Sequence, residues 1–312
     1  MQGAARPVCV VVGLATRTDP PPLPPAEKIL SHIQEIYDSG RPFFTKELLL
    51  NIKQFPVLTG QVSPASEPDM EYSIQKPCIT YSSLQGLFRI CDMGRGYLAY
   101  NHVRIGHYKF LRNIHTKELY SDRSVESLRI WENTAECQDL QAMLVSRKTA
   151  RIIKIVGLAL GSSATVHPRL QFRSAFQHAL LLTLCDIYCN MQGVAPDAIP
   201  CFAQDPACND IDVSAVAAAG IKIVDDPVGF LGIDDPTVVV SCAPNIAVRQ
   251  IVFDLARPAV LIRNRVKDED DGNMTDPFSP RVRTYIQGFY DEFGFRDYNN
   301  RFGDLAVYIR RN

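Results

Sequence analysis

The chain lacks the strong signatures that would settle its chemistry at sight. Its 312 residues carry a formal net charge of only −1, so no global field draws it to nucleic acid or to an anionic membrane, and such binding would need a local basic patch. No apolar run approaches the ~20 residues of a membrane-spanning helix. The early stretch VCVVVGLA is short and only Arg6 precedes it, which is poor in the features of an export signal and reads as a strand or a loose arm. The nine cysteines are odd in number and irregularly spaced, with no CxxC among them. That pattern excludes a regular disulfide framework and fits reduced thiols of the cytoplasm or the nucleus. Cys185 and Cys189, four apart on an expected helix face, have no nearby His or Cys to complete a tetrahedral metal set, and two small buried apolar residues are the plainer reading.

Catalytic motifs are scarce as well. The stretch RIIKIVGLALGSSATVHP, Arg151 to Pro168, climbs from an apolar run into a loop holding Gly157, Gly161, Ser162 and Ser163. It is not a P-loop, because no lysine follows Gly161, and it is not G-x-G-x-x-G, because its glycines stand four apart. No G-x-S-x-G elbow occurs, and a Ser162 or Ser163 pair with His167 or His178 is the nearest thing to a nucleophile and base. Small residues in such a loop still admit a close ligand, and N–H groups at a helix start favour an anion. A tight strand-to-helix connection explains the same residues.

What the chain does have is order. DPPPLPP, Asp19 to Pro25, is an extended polyproline segment that separates an arm from the body or serves a proline-reading partner. Helices are expected over Glu27 to Ser39, Lys46 to Phe55 and Ser124 to Ser146, with an exposed loop from Gly60 to Pro77 and a strand over Tyr97 to Ile105. After Ala150 strands alternate with helices: a strand over Ile152 to Leu160, a long helix beyond it, and strands at Ile199 to Ala203, Ile221 to Val224, Thr237 to Ser241 and Ala259 to Arg263. A final helix over Tyr285 to Phe293 and a strand over Leu305 to Ile309 complete the pattern. Such alternation predicts a Rossmann-like, doubly wound α/β fold with a mainly parallel sheet and an N-terminal α+β extension. The expected divisions are an arm over residues 1–25, the extension over 26–150 and the main domain over 151–312.

In such a sheet, ligands bind outside the carboxyl ends of the strands. That rule assembles a candidate site from Gly157, Gly161, Ser162, Ser163, Asp205, Asp226, Ser241, Cys242 and Asn245. The carboxylate of Asp205 suits ribose-like hydroxyls, although it comes about forty residues after the glycine loop rather than the usual ~20. Each acid is also an ordinary turn residue or helix cap. One stretch, RGYLAYNHVRIGHYKFLRNIHTK, interleaves cations with aromatics as single-strand nucleic-acid binders do, and as an amphipathic strand pair does.

The order of elements from Ile152 to about Arg265 resembles the Sensitivity-to-Red-light-Reduced-like (SRR-like) family. The matching pieces are IVGLALGSS, a helix carrying Gln177 and Ala179, the set Asp205, Pro206, Asp212 and Gly220, and a turn with Cys242 and Pro244. PNIAVRQIVFDLARPAVLI is similar to the fungal branch. The resemblance implies links to light and clock signalling, haem metabolism or the cytoskeleton, and no agreed reaction. Where many members have a His-Cys pair, this chain has SCAPN, so no role of that histidine carries over. A regulatory or adaptor protein with a ligand crevice is the first expectation. A small-molecule enzyme with a nucleotide- or S-adenosylmethionine-type ligand, as in fungal secondary metabolism, is the second, and a nucleic-acid binder ranks last. No residue pattern identifies a cofactor.

Overall fold

The computed structural model describes residues 26–54, 73–93, 102–111, 126–163, 168–267 and 275–311. The proline-rich segment and most of the cation–aromatic stretch, including Tyr97, Tyr100, Arg112 and Lys117, lie outside them.

A seven-stranded sheet forms the centre, with strand order β5-β4-β3-β6-β7-β9-β8. Its strands are β3 (Lys154–Leu158), β4 (Cys201–Gln204), β5 (Ile221–Ile223), β6 (Thr237–Ser241), β7 (Val260–Asn264), β8 (Tyr290–Gly294) and β9 (Leu305–Arg310). From β5 to β7 every pairing is parallel. The β9–β8 hairpin then adds two antiparallel strands beside β7. The chain starts in the middle at β3, winds outward through β4 and β5, and returns to β6 on the other side. This is the doubly wound, Rossmann-like plan, and its switch point lies between β3 and β6.

Strand alternation divides the core. Ile155, Val238, Val240, Val260 and Ile262 point to one face, against α5 (Ala135–Val145), α6 (Pro168–Gln192) and α7 (Asp210–Ala218). Val156, Leu158, Val239 and Leu261 point to the other, against α8 (Val228–Leu231), α9 (Val248–Leu255) and α10 (Pro280–Phe289). Strands covered on both faces are apolar almost throughout, which is why they were legible as continuous runs. Helix α4, over residues 126–132, contributes Trp131, fully buried, whose indole N–H donates to Thr183 at 2.9 Å.

The N-terminal region packs over the second face. It consists of α1 (Ala26–Asp38), α2 (Lys46–Gln54), α3 (Leu84–Asp92) and the antiparallel hairpin of β1 (Ser73–Tyr81) and β2 (Val103–Leu111). Phe43, Phe44, Leu49, Tyr81 and Leu87 join the core of α9 and α10. The buried Asp254 carboxylate fastens this layer by accepting from the Phe43 and Phe44 amides at 2.8 and 2.9 Å. Arg281 donates to the Gly40 and Arg41 carbonyls and pairs with Asp254 at 3.2 Å.

Three expectations are corrected. Residues 73–77, read as loop, form the start of β1, where Pro77 is tolerated in a two-stranded hairpin. Of the strand expected over 97–105, residues 97–101 lie outside the described residues and 103–105 open β2. The single helix over 124–146 is broken at Asn133 and Thr134, where Thr134 caps α5 by accepting from the Cys137 amide. The last helix ends at Phe289, and Tyr290 to Gly294 are strand: alternating residues there pair with β9. No helix among the described residues is long and apolar enough to cross a membrane.

Candidate functional site

Both strands flanking the switch point leave the sheet through a strained residue. Ala159, after β3, has φ 54°, and Ala243, after β6, has φ 52°. A left-handed backbone at a residue with a β-carbon costs about 1–2 kcal/mol and persists only where the surroundings impose it. Here hydrogen bonds impose it. The Ala159 amide donates to the Gln204 carbonyl at 3.0 Å, and the Ala243 amide to Asn264 Oδ1 at 2.6 Å.

The two glycines of the loop do different jobs. A β-carbon on Gly157 would stand 2.5 Å from Leu160 and 2.8 Å from Leu181, so this glycine serves the close packing of α6 on β3 and lies in the core. Gly161, with φ 77°, turns the loop, and its amide donates to the Asp205 carboxylate at 2.6 Å. Asp205 also accepts from the Ala207 amide at 2.8 Å. The loop therefore does hold an anion, and that anion is the protein's own side chain. Beside it, Ser162 and Ser163 donate to the fully buried Asp212 at 2.6 and 3.1 Å. Asp212 stands in the first turn of α7 and closes a capping box with Asn209, so the helix amino terminus supports its charge. His178 bonds the Ser174 carbonyl through Nδ1 at 2.9 Å, which places the proton on Nδ1. Its Nε2 has no partner among the described residues, and burial lowers its pKa. The serines thus bond Asp212 while His178 turns to its own helix, so neither serine pairs with His178; His167 lies outside the described residues.

A second cluster gathers around Asp226. Its carboxylate accepts from the Tyr81 hydroxyl at 2.5 Å and from Gln204 Nε2 at 3.0 Å. Gln204 Oε1 in turn accepts from the Gly229 amide at 2.7 Å. Burial, with a contribution from the Asp205 charge, raises the Asp226 pKa to about 7, against the opposing pull of the Tyr81 hydrogen bond. Burial and Asp226 together push the Tyr81 phenol far up, so it stays a donor.

The remaining candidates are dispersed. Ser241 is buried, and its hydroxyl has no partner among the described residues. Cys242 is buried too, and desolvation pushes its thiol up to about 12, which leaves it a poor nucleophile. Asn245 is exposed on the turn that follows. The sequence reading missed Tyr81, which lies in a hairpin far away in sequence, and it took Asp212 only as part of a resemblance. The capping pattern Asn209 to Asp212 is a signal that points to the latter. Below this rim, between α6 and α7, lies a cavity of about 230 Å³ lined by Ser163, His178 and several alanines. Among the described residues no three His, Cys, Asp or Glu side chains converge as a metal set.

The strand order, with its switch point between β3 and β6, defines a Rossmann-like α/β protein. Residues 125–309 match the family model of the SRR1 domain, and the chain belongs to that family. A comparison with curated proteins finds no match.

Proposed function

We propose that the chain is a regulatory, ligand-sensing member of its family, in which the strand-end crevice binds a small molecule without transforming it. One observation supports this above the rest: Asp205, Asp212, Ser162 and Ser163 are all engaged in hydrogen bonds within the protein. Asp205 is bonded by the Gly161 amide and Asp212 by both serines, so these groups shape the crevice rather than attack a substrate. The strained alanines at the switch point favour a site at that place. A second reading, small-molecule catalysis, is favoured by Asp226 alone. A carboxyl with a pKa of about 7 is matched to proton transfer near neutral pH.

The test is a thermal-shift screen against nucleotides, S-adenosylmethionine and porphyrins, followed by hydrogen exchange with any stabilising compound. A ligand at a hundred times its Kd raises stability by ~2.7 kcal/mol. The expected result is slowed exchange at the amides of Gly161 and Ala243, with the compound recovered unchanged. Protection confined to other segments would overturn the site, and chemical conversion of the compound that stops in Asp226→Asn would put the catalytic reading first.

A further inference from the structure

Two arginines meet at the carboxyl edge of the sheet without a counter-ion. Arg173 stands in the second turn of α6, where that helix approaches the glycine loop: a β-carbon on Gly161 would stand 2.5 Å from the hydroxyl of its neighbour Ser174. Arg301 lies in the segment between β8 and β9. That segment reaches the same edge because Asn264, the last residue of β7, pairs with Leu305, the first of β9. Arg173 Nε donates to the Arg301 carbonyl at 3.1 Å. The Arg301 guanidinium lies 4.3 Å above the ring of Phe176, one turn along α6 from Arg173. Burial governs the Cys242 thiol at the end of β6, but the charge of Arg173 is felt there too. The two side chains therefore converge beside the switch point between β3 and β6.

Neither cation is explained by its surroundings. Both side chains are half-buried, and neither forms an ion pair among the described residues. Beyond its Nε bond, the Arg173 guanidinium donates to nothing there, and the Arg301 guanidinium makes no hydrogen bond, with Nη1 buried and unpartnered. Asp297, whose charge is also felt at Cys242, is taken up by the amides of Arg301, Phe302 and Gly303 at 2.9, 2.7 and 2.8 Å. The α6 dipole gives no reason for a cation at this end, because the amino-terminal turns of a helix favour negative charge. Taking a guanidinium partly out of water without an opposite charge costs stability, and two side by side repel each other as well. Covering the Phe176 ring needs only an apolar stem.

We propose that Arg173 and Arg301 form a clamp for a phosphate group, so that the small molecule bound at the carboxyl edge is a phosphorylated one. This rests on the reading of that edge as a ligand site and names what the ligand carries there. A phosphate supplies the missing negative charge, and it has oxygens enough for two guanidinium forks to share. The clamp stands where a doubly wound sheet gathers its ligands, beside the amino-terminal end of the helix that follows the central strand.

The experiment is calorimetric titration of the full chain with inorganic pyrophosphate, with hydrogen exchange at the Gly161 and Ala243 amides followed in the same samples. The natural chain is expected to bind, and less tightly as salt rises. Arg173→Met and Arg301→Met each bind roughly tenfold more weakly or worse. Arg301→Lys keeps the charge but loses the fork, and falls between. Without pyrophosphate, Arg301→Met melts no lower than the natural protein, because its stem still covers Phe176 and a repulsion is gone. Absence of binding by the natural chain overturns the proposal, as does full affinity in both methionine variants. Where a methionine variant does not fold, the lysine variant decides, and natural affinity in it overturns the clamp. An Arg301→Met protein that melts lower and binds normally would assign that arginine to the fold. Binding that needs both arginines yet leaves exchange at Gly161 and Ala243 unchanged would support the clamp and overturn the strand-end reading. A neutral compound that slows exchange there, in a protein that does not bind pyrophosphate, would keep that reading and overturn the clamp.

Discussion

Replacing Asp226 by Asn tests the electrostatics of the strand-end cluster most directly. An aspartate in the unfolded chain titrates near ~3.9. In the folded protein the same group titrates at about 7, chiefly because it is buried. Between those values the native state holds a proton that the unfolded chain has released, so stability falls as pH rises through this window and levels off above it. From pH ~5 to pH ~8 the loss is up to about 2.5 kcal/mol from this group alone. Asparagine keeps the essential geometry. Its Oδ1 still accepts from Tyr81 and Gln204, and its amide stands where the protonated acid carries its O–H. The variant should match the natural protein below pH ~4 and gain on it by about 2.5 kcal/mol between pH ~5 and pH ~8. Urea unfolding of both proteins across that range measures this. Parallel pH curves, or a variant less stable at the alkaline end, would show that Asp226 is ionised in the native state and that its burial has been misjudged.

Other outcomes follow from the packing. Phe176→Ala should cost ~3 kcal/mol or more in a denaturant melt, because the ring is fully buried and Arg301 stacks on it at 4.3 Å. Gly161→Ala should cost about 2 kcal/mol, since its β-carbon would meet Ser174 Oγ at 2.5 Å on a left-handed backbone, whereas Ala243→Gly should gain roughly 0.5–1 kcal/mol by relieving strain. Asp254→Ala should lose ~3 kcal/mol or more and raise the protease sensitivity of residues 26–54, because it strands two amides and removes the counter-charge of Arg281; cleavage at the natural rate would refute the anchoring role.

The parallel strands were legible because burial on two faces writes an unbroken apolar run, as in β3 and β6. Periods alone misled where a local signal changes the answer. Ser124 to Ser146 is helical in pattern, but Thr134 caps a new helix and so ends the old one. Tyr290 to Gly294 continues an apparent helix, yet cross-strand pairing with β9 overrides local preference. The strand ends themselves were legible. The bonding around them was not, because Asp205 reaching Gly161 and Tyr81 reaching Asp226 are contacts across 44 and 145 residues that no local pattern encodes. Gly157 shows the limit from the other side: a glycine in a candidate loop proves to be a packing device.

The way Asp254 holds the Phe43 and Phe44 amides sets the order in which the protein can be completed. The partners are 211 and 210 residues apart. At the pace of translation, the first-made layer waits on the order of ten seconds or more for α9 to emerge. During that interval Phe43, Phe44, Leu49 and Leu87, all buried in the finished molecule, have no apolar surface of α9 to cover them. The part of the chain that is synthesised first is therefore among the last to be finished.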